Sequence, residues 1–288
     1  LNQENIKLSH LGIIGAIGDM QGKNGFSEIV NIILDDAVKV GKIEIKKGLR
    51  MFGAQTKPLL KLLLYSTDPY IPGITGNESE VHKFLNELAI SPDKKLTNLT
   101  EEETKKLVTA IILKRLGSEE NPEDILGFNY LLRDEPDESP TNDAKEFSTL
   151  LNSCGRLGKS SVGIGVCLND KISKQKANEI LAQFRIELIT SLNWFYANRN
   201  SSFIIEKPGF VIINAENNVR PSIIGTLTSI ISNSNLYSTN TILISMAHTP
   251  EEDIKVSTRV CGRNKVINLK QLLNSKTSQL GIESGGHN

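Results

Sequence analysis

The chain has 288 residues, of which 39% are hydrophobic and 23% are charged, and its 33 basic side chains balance 33 acidic ones. This composition is typical of a globular protein with a substantial core, and the length is sufficient for two domains. No apolar run approaches the ~18 residues of a transmembrane helix, and no basic, apolar leader opens the chain, so we expect no membrane segment. The cysteines form no C-x-x-C pair, which argues against disulfides and structural zinc and favours a cytoplasmic location.

The charge is unevenly distributed along the chain. Residues 119–146 contain 2 Lys/Arg against 10 Asp/Glu, a balance of −8, whereas residues 147–288 contain 15 against 9, a balance of +6. A basic second half behind an acidic segment suggests an anionic ligand for that half, and the alternative is a solvated surface with uneven charge.

The first half contains mainly helical patterns. Apolar residues at helical spacing predict a helix over Ser27–Val40, with Ser27 as the N-cap, and two prolines and a glycine predict a loop over 67–73. Thr100 and Glu103 form the sequence pattern of a capping box, which predicts the start of another helix. Residues 117–140 are rich in Asp, Glu and Pro and are predicted to be a linker or an exposed loop.

The second half alternates between strand and helix patterns, which predicts an α/β domain. The stretch from Ile212 to Ile230, followed by Thr241–Ala247, is long enough for one crossover unit that joins parallel strands. The predicted strands are Ser161–Leu168, Phe210–Asn214, Thr241–Ala247 and Ile254–Val260, and the predicted helices are Ser173–Tyr196, Ser222–Ser232 and Asn268–Asn274.

The segment Gly155–Ser160 resembles a phosphate-binding P-loop but does not satisfy its pattern. The motif G-x-x-x-x-G-K-[ST] requires a glycine five residues before Gly158, and that position is Ser153. A helix end and turn, with Gly155 and Gly158 at positive φ, is the better interpretation.

Two polar clusters in the second half could hold an anion. Ser257 and Arg259 should point to the same face of an alternating strand, where a hydroxyl and a guanidinium can converge on a phosphate. Gly285 and Gly286 allow close backbone approach to an anion, and His287 can donate a hydrogen bond to it. The alternative interpretations are a solvated strand face and an ordinary glycine turn.

Asp19 ends the apolar run Leu11–Gly18. A carboxylate at the mouth of a buried apolar element is well placed to ligate a metal ion. The alternative is that Asp19 only terminates a helix or strand.

Taken together and in this order, these segments resemble the DHH phosphoesterases. Gly15–Asp19 resembles the fourth signature motif of the family, whose aspartate ligates catalytic metal. Ser257–Arg259 and Ser284–His287 resemble the associated C-terminal domain, whose Ser-x-Arg and Gly-Gly-His elements hold substrate phosphate. Three further segments look like the archaeal RecJ-like branch: Pro69–Gly76, Cys154–Gly158, and Ile224–Thr226 with the following Ser229.

The resemblance implies a two-domain α/β fold. Residues 1–140 would be the C-terminal part of the DHH domain with a helical insertion and an acidic loop, and residues 141–288 the DHH-associated domain. It further implies a two-metal site with Mn²⁺ or Mg²⁺, to which Asp19 would contribute, and a phosphate site made of Ser257, Arg259, Gly285, Gly286 and His287. The expected activity is phosphodiester hydrolysis on single-stranded DNA or RNA, in DNA replication and repair.

The family's first three motifs, including the Asp-His-His that names it, are absent from the chain. We therefore expect this chain to be the C-terminal part of a longer enzyme and to be inactive alone. Two alternatives remain open. One is a non-catalytic replication scaffold, since RecJ-like proteins resemble a eukaryotic helicase component and some relatives bind the GINS complex. The other is a phosphodiesterase for short oligonucleotides or cyclic dinucleotides.

Overall fold

The computed structural model describes residues 3–19, 21–22, 25–66, 69–117, 121–234, 236–262 and 267–277. It is a mixed α/β protein, as predicted, and it divides into two compact units, Leu1–Asn178 and Glu179–Asn288. This division falls later in the chain than the boundary expected near residue 140, because α6 (Ala144–Arg156) contacts α1 (Ser9–Gly18) inside the first unit.

The first unit begins with α1, α2 (Glu28–Lys39) and β1 (Ile43–Leu49), which enclose a small apolar core. The predicted helix over Ser27–Val40 is confirmed as α2. Ser27 stands at the N-cap without a side-chain capping bond, and Gly41 follows the helix with φ of 73°.

Residues 49–126 form a helical region with a core of its own. Its helices are α3 (Leu59–Leu64), α4 (Glu78–Glu87) and α5 (Glu101–Arg115). The predicted capping box is present at the start of α5, where Thr100 and Glu103 satisfy each other's backbone N–H groups. The buried core residues of this region are Leu49, Met51, Leu59, Leu62, Leu63, Ile71, Ile74, Val81, Phe84, Leu85, Ile90, Leu107, Ile111 and Ile125.

The chain returns from this helical region as β2 (Leu126–Leu132), which pairs antiparallel with β1. Leu49 and Leu126 are direct register partners, so the helical region leaves and rejoins the sheet at one point. The prediction of a linker or loop over 117–140 is therefore wrong for its central part. Beyond β2 the acidic Glu135 is also held in place, since its side chain is only 9% exposed and bonds Lys174 at 2.7 Å.

Two helices follow in the first unit, α6 and α7 (Ser160–Cys167). The strand predicted over Ser161–Leu168 is wrong, because this segment is α7. A Cβ at Gly163 would lie 3.4 Å from the Cβ of Cys154, so small residues in this segment allow α7 to approach α6. Gly158 has a positive φ of 70° as predicted, but Gly155 lies inside α6 with an ordinary helical backbone.

The long helix α8 (Lys171–Ala197) continues into the second unit, which contains one four-stranded sheet. Its strand order follows the chain: β3 (Ile204–Lys207), β4 (Phe210–Asn214), β5 (Ile242–His248) and β6 (Ile254–Val260).

Strands β4 and β5 are parallel and are joined through α9 (Pro221–Asn233), which confirms the predicted crossover unit. At the two edges of the sheet, β3 pairs antiparallel with β4, and β6 pairs antiparallel with β5. Helix α9 packs on β5 and β6, and α10 (Leu269–Thr277) contacts β6.

Candidate functional site

The packing interface between α9 and β6 in the second unit contains several polar side chains. The buried side of α9 is mostly aliphatic, as in Ile224, Leu227 and Ile231. Toward β6 the helix instead presents small residues, Gly225 and Ser229. A methyl group at Gly225 would stand 3.5 Å from the Oγ of Ser257, so glycine leaves this hydroxyl room.

Arg259 lies on β6 with its guanidinium held at this interface. Its Nε donates to the Oγ of Ser229 at 3.0 Å, and its Nη1 donates to the carbonyl oxygen of Thr258 at 2.8 Å. Two of the five guanidinium N–H groups are thus engaged, and the other three find no acceptor in the part of the chain that the structure describes. The residue is exposed, so these groups can reach a ligand.

Ser257 lies on the same face of β6 as Arg259, as the alternation predicted. It is 9% exposed, and its hydroxyl has no hydrogen-bond partner among the described residues. Directly across the sheet its register partner is Ser245 on β5, which is fully buried and whose Oγ also lacks a partner. Buried hydroxyls are normally hydrogen-bonded, so the unsatisfied hydroxyl of Ser245 is unusual for a structural interface.

The arrangement suits an anion with several oxygens. Arginine provides a planar fork of donors that matches phosphate, and a neighbouring serine hydroxyl can add a further hydrogen bond. The predicted partners Gly285, Gly286 and His287 lie outside the described residues.

Asp19 stands at the C-terminal end of α1, where its backbone N–H donates to the carbonyl oxygen of Gly15 at 3.0 Å. It is exposed and lines a cleft of about 370 Å³ together with Ser148 and Asn152 of α6. Within the described ranges, no three His, Cys, Asp or Glu side chains are close enough together to hold a metal ion. The residues described here do not by themselves fit a two-metal site.

Two other segments of the family resemblance have structural roles. In Pro69–Gly76, Ile71 and Ile74 are fully buried, and the Oγ1 of Thr75 accepts from the N–H of Ile71 while donating to the carbonyl oxygen of Ser66. In Cys154–Gly158, Cys154 is buried between helices. The buried residues of these motifs fix turns and packing, whereas Arg156 in the second motif is exposed on α6.

Sequence patterns did not reveal a pair of buried carboxyl groups at the start of α6. Asp143 caps the helix by accepting from the N–H groups of Lys145 and Glu146, and Glu146 accepts from the Oγ1 of Thr56 at 2.6 Å. Burial raises the pKa of both carboxyl groups, and the repulsion from Asp143 adds to the shift at Glu146. Nothing in the local sequence signals this burial.

No helix in the described portion of the chain is long and apolar enough to cross a membrane.

A protein-family model matches one part of the chain. Residues 51–126 match the DHH-CID domain, and these boundaries coincide with the helical region that leaves β1 and returns as β2. The match is limited to this region, and it confirms the resemblance to the DHH family inferred from the motifs.

Two individual proteins are similar over larger parts of the chain. The uncharacterized protein MJ0831 of the archaeon Methanocaldococcus jannaschii is 34% identical over 185 residues, which are 64% of this chain and 40% of that protein. The crystal structure of CDC45 from Entamoeba histolytica has a similar fold, with a TM-score of 0.54, 10% identity, and coverage of 84% of this chain and 54% of CDC45. The chain therefore spans about half or less of the length of either relative.

Proposed function

We propose that this chain supplies the phosphate-binding part of a DHH-family phosphoesterase that acts on single-stranded nucleic acid. The observation that supports it most is the convergence of Arg259 and Ser257 at the α9–β6 interface, where guanidinium N–H groups and a hydroxyl remain available to a ligand. Gly285, Gly286 and His287 would complete the site. A single strand is the favoured ligand because its backbone exposes successive phosphates without a duplex to accommodate.

The metal chemistry belongs to this proposal only as an expectation for the full-length protein. Mn²⁺ or Mg²⁺ would supply an activated water and stabilise charge on the reacting phosphate. Asp19 would be one ligand, and the other donors would have to come from outside the described residues. The role that the chain itself performs is to bind and orient the phosphate.

The experiment is to measure the affinity of the 288-residue chain for a fluorescent oligothymidylate over a range of salt concentrations. Log affinity should fall as log salt rises, by about 0.7 for each phosphate neutralised. Arg259→Ala should weaken binding by about ten- to a hundredfold, because a charge-assisted hydrogen bond contributes about 1.5–3 kcal/mol.

The matched control is Arg185→Ala, which removes the same charge from an exposed position on α8. It should change affinity much less than Arg259→Ala. Binding that does not depend on salt, or equal losses from both arginine variants, would contradict a specific phosphate site at Arg259.

The fold shared with CDC45 favours a second candidate, a replication scaffold without catalysis that binds a partner such as the GINS complex. Both candidates allow nucleic-acid binding, so hydrolysis is what separates them. The full-length protein should degrade a labelled oligonucleotide in the presence of Mn²⁺ if it is a phosphoesterase. Binding of the oligonucleotide without degradation, at all metal concentrations, would favour the scaffold.

A further inference from the structure

Ser229 makes two hydrogen bonds that fix the direction of its hydroxyl. Its O–H donates to the carbonyl oxygen of Gly225 one turn earlier in α9, at 2.9 Å. Because the single proton is used in this bond, the oxygen can only accept from the Nε of Arg259, 3.0 Å away. The helix backbone therefore sets the orientation of the serine, and the serine sets that of the guanidinium.

Arg259 needs such a support because its surroundings offer few others. It is exposed on an edge strand, and its second contact, to the carbonyl oxygen of Thr258, comes from the adjacent residue. A free arginine side chain has about 2 kcal/mol of rotamer entropy, much of which is lost when it is held by a ligand. A side chain that is ordered beforehand loses less on binding.

We propose that Ser229 is a positioning residue, which holds Arg259 so that its remaining N–H groups face a phosphate beside the hydroxyl of Ser257. This inference rests on the proposed phosphate site and assigns to α9 a role in it. Ser229 does not touch the phosphate itself; it acts through Arg259.

The test uses the 288-residue chain and a fluorescent oligothymidylate as the probe. Ser229→Ala should raise the Kd about three- to tenfold, because the guanidinium of Arg259 is then no longer ordered before it binds the phosphate. Ser229→Thr keeps the hydroxyl and should stay within about twofold of the unchanged chain. The control is Ser232→Ala on the same helix. The Oγ of Ser232 donates to the backbone carbonyl oxygen of Ser229 at 2.9 Å and bonds neither the hydroxyl of Ser229 nor Arg259, so the Kd of this variant should not change.

Two further readouts distinguish positioning from a structural effect. Ser229→Ala retains the charge of Arg259, so the slope of log Kd against log salt should not change, whereas Arg259→Ala should reduce it by about 0.7. In the double variant, loss of Ser229 should have no further effect, because there is no guanidinium left to position.

The possible failures are separable. If Arg259→Ala leaves the Kd unchanged, or if the unchanged chain does not bind the probe, both the phosphate site and this inference are wrong. If Arg259→Ala weakens binding but Ser229→Ala does not, or if the two losses add in the double variant, only the positioning role of Ser229 is wrong.

Discussion

The helical region of residues 49–126 and the α9–β6 interface both contain segments that resemble DHH-family motifs, yet they use them differently. In the helical region Ile71 and Ile74 are fully buried in an aliphatic core. At the α9–β6 interface the motif residues are Ser257, whose hydroxyl has no bond to any residue that the structure describes, and the exposed Arg259. Resemblance alone does not separate a structural motif from a chemical one, but the burial and the hydrogen bonds of its residues do.

The largest effect that follows from this difference is expected in the helical region. Ile74→Ala should lower the free energy of unfolding by about 2–5 kcal/mol, because it leaves a cavity in a fully buried site. Urea denaturation followed by circular dichroism measures the loss. The matched control, Leu113→Ala, truncates a side chain that is 62% exposed and should change stability by less than about 0.5 kcal/mol.

The affinity of the variant for the oligonucleotide tests whether Ile74 has only a structural role. Under conditions where Ile74→Ala is folded, its Kd should equal that of the unchanged chain. A weakened Kd in the folded variant would show that this motif contributes to binding after all.

A smaller change in the free energy of unfolding, an increase instead of a decrease, is expected at the α9–β6 interface. Ser245→Ala should raise the free energy of unfolding by about 1 kcal/mol, since it removes a buried hydroxyl that has no partner among the described residues. Ser232→Ala is the counterpart, because its buried hydroxyl is satisfied at 2.9 Å and its removal should cost about 1 kcal/mol. A loss of stability in Ser245→Ala would mean that its hydroxyl is bonded and that the interface is an ordinary structural one.

The smallest expected effect on stability concerns Glu146, a buried carboxyl group in the first unit that bonds Thr56 of the helical region. Its pKa is raised above the ordinary value of 4.5, chiefly by burial. Between that value and the raised one, the folded state binds more protons than the unfolded state, so stability rises as the pH falls through this window. Below the ordinary value both states are protonated and the gain is complete.

Glu146→Gln removes this titration, so its Tm should rise less than that of the unchanged chain when the pH is lowered from neutral toward 4.5. Differential scanning calorimetry at several pH values measures the slope. The exposed Glu179→Gln serves as the control and should keep the original slope. An unaltered slope in Glu146→Gln would show that this carboxyl group does not contribute to the pH dependence.

Much of the second unit could be predicted because its signals are local. Strands β4, β5 and β6 have apolar runs or alternation, and the connection through α9 has the length of a crossover. The shared face of Ser257 and Arg259 follows from the two-residue period of a strand. By contrast, the contact between Arg259 and Ser229 joins residues 30 positions apart and depends on how α9 packs.

The errors in the first unit come from contacts between different secondary-structure elements. The predicted loop over 117–140 is wrong at β2 because the partner strand β1 is separated from it by the whole helical region. The predicted strand over Ser161–Leu168 is wrong because glycines and apolar residues alternate in this helix as they would in a strand. Gly163 is explained by the approach of α6, and Gly165 by Ser173, whose Oγ would lie 2.1 Å from an added Cβ. Such tertiary constraints leave no local periodicity.

The register of β1 and β2 has a consequence for how this protein is assembled. Leu49 and Leu126 face each other at the point where the helical region begins and ends, and that region has its own core. In topological terms the region is an insertion at the end of a β-hairpin, and its two ends lie on neighbouring, hydrogen-bonded strands. The same strand pairing is compatible with a short turn or a long insertion at this point, because the entropy cost of closing a loop grows only slowly with its length. The pairing of β1 with β2 therefore does not depend on the length of the region inserted between them, although the bond between Glu146 and Thr56 also ties that region to α6.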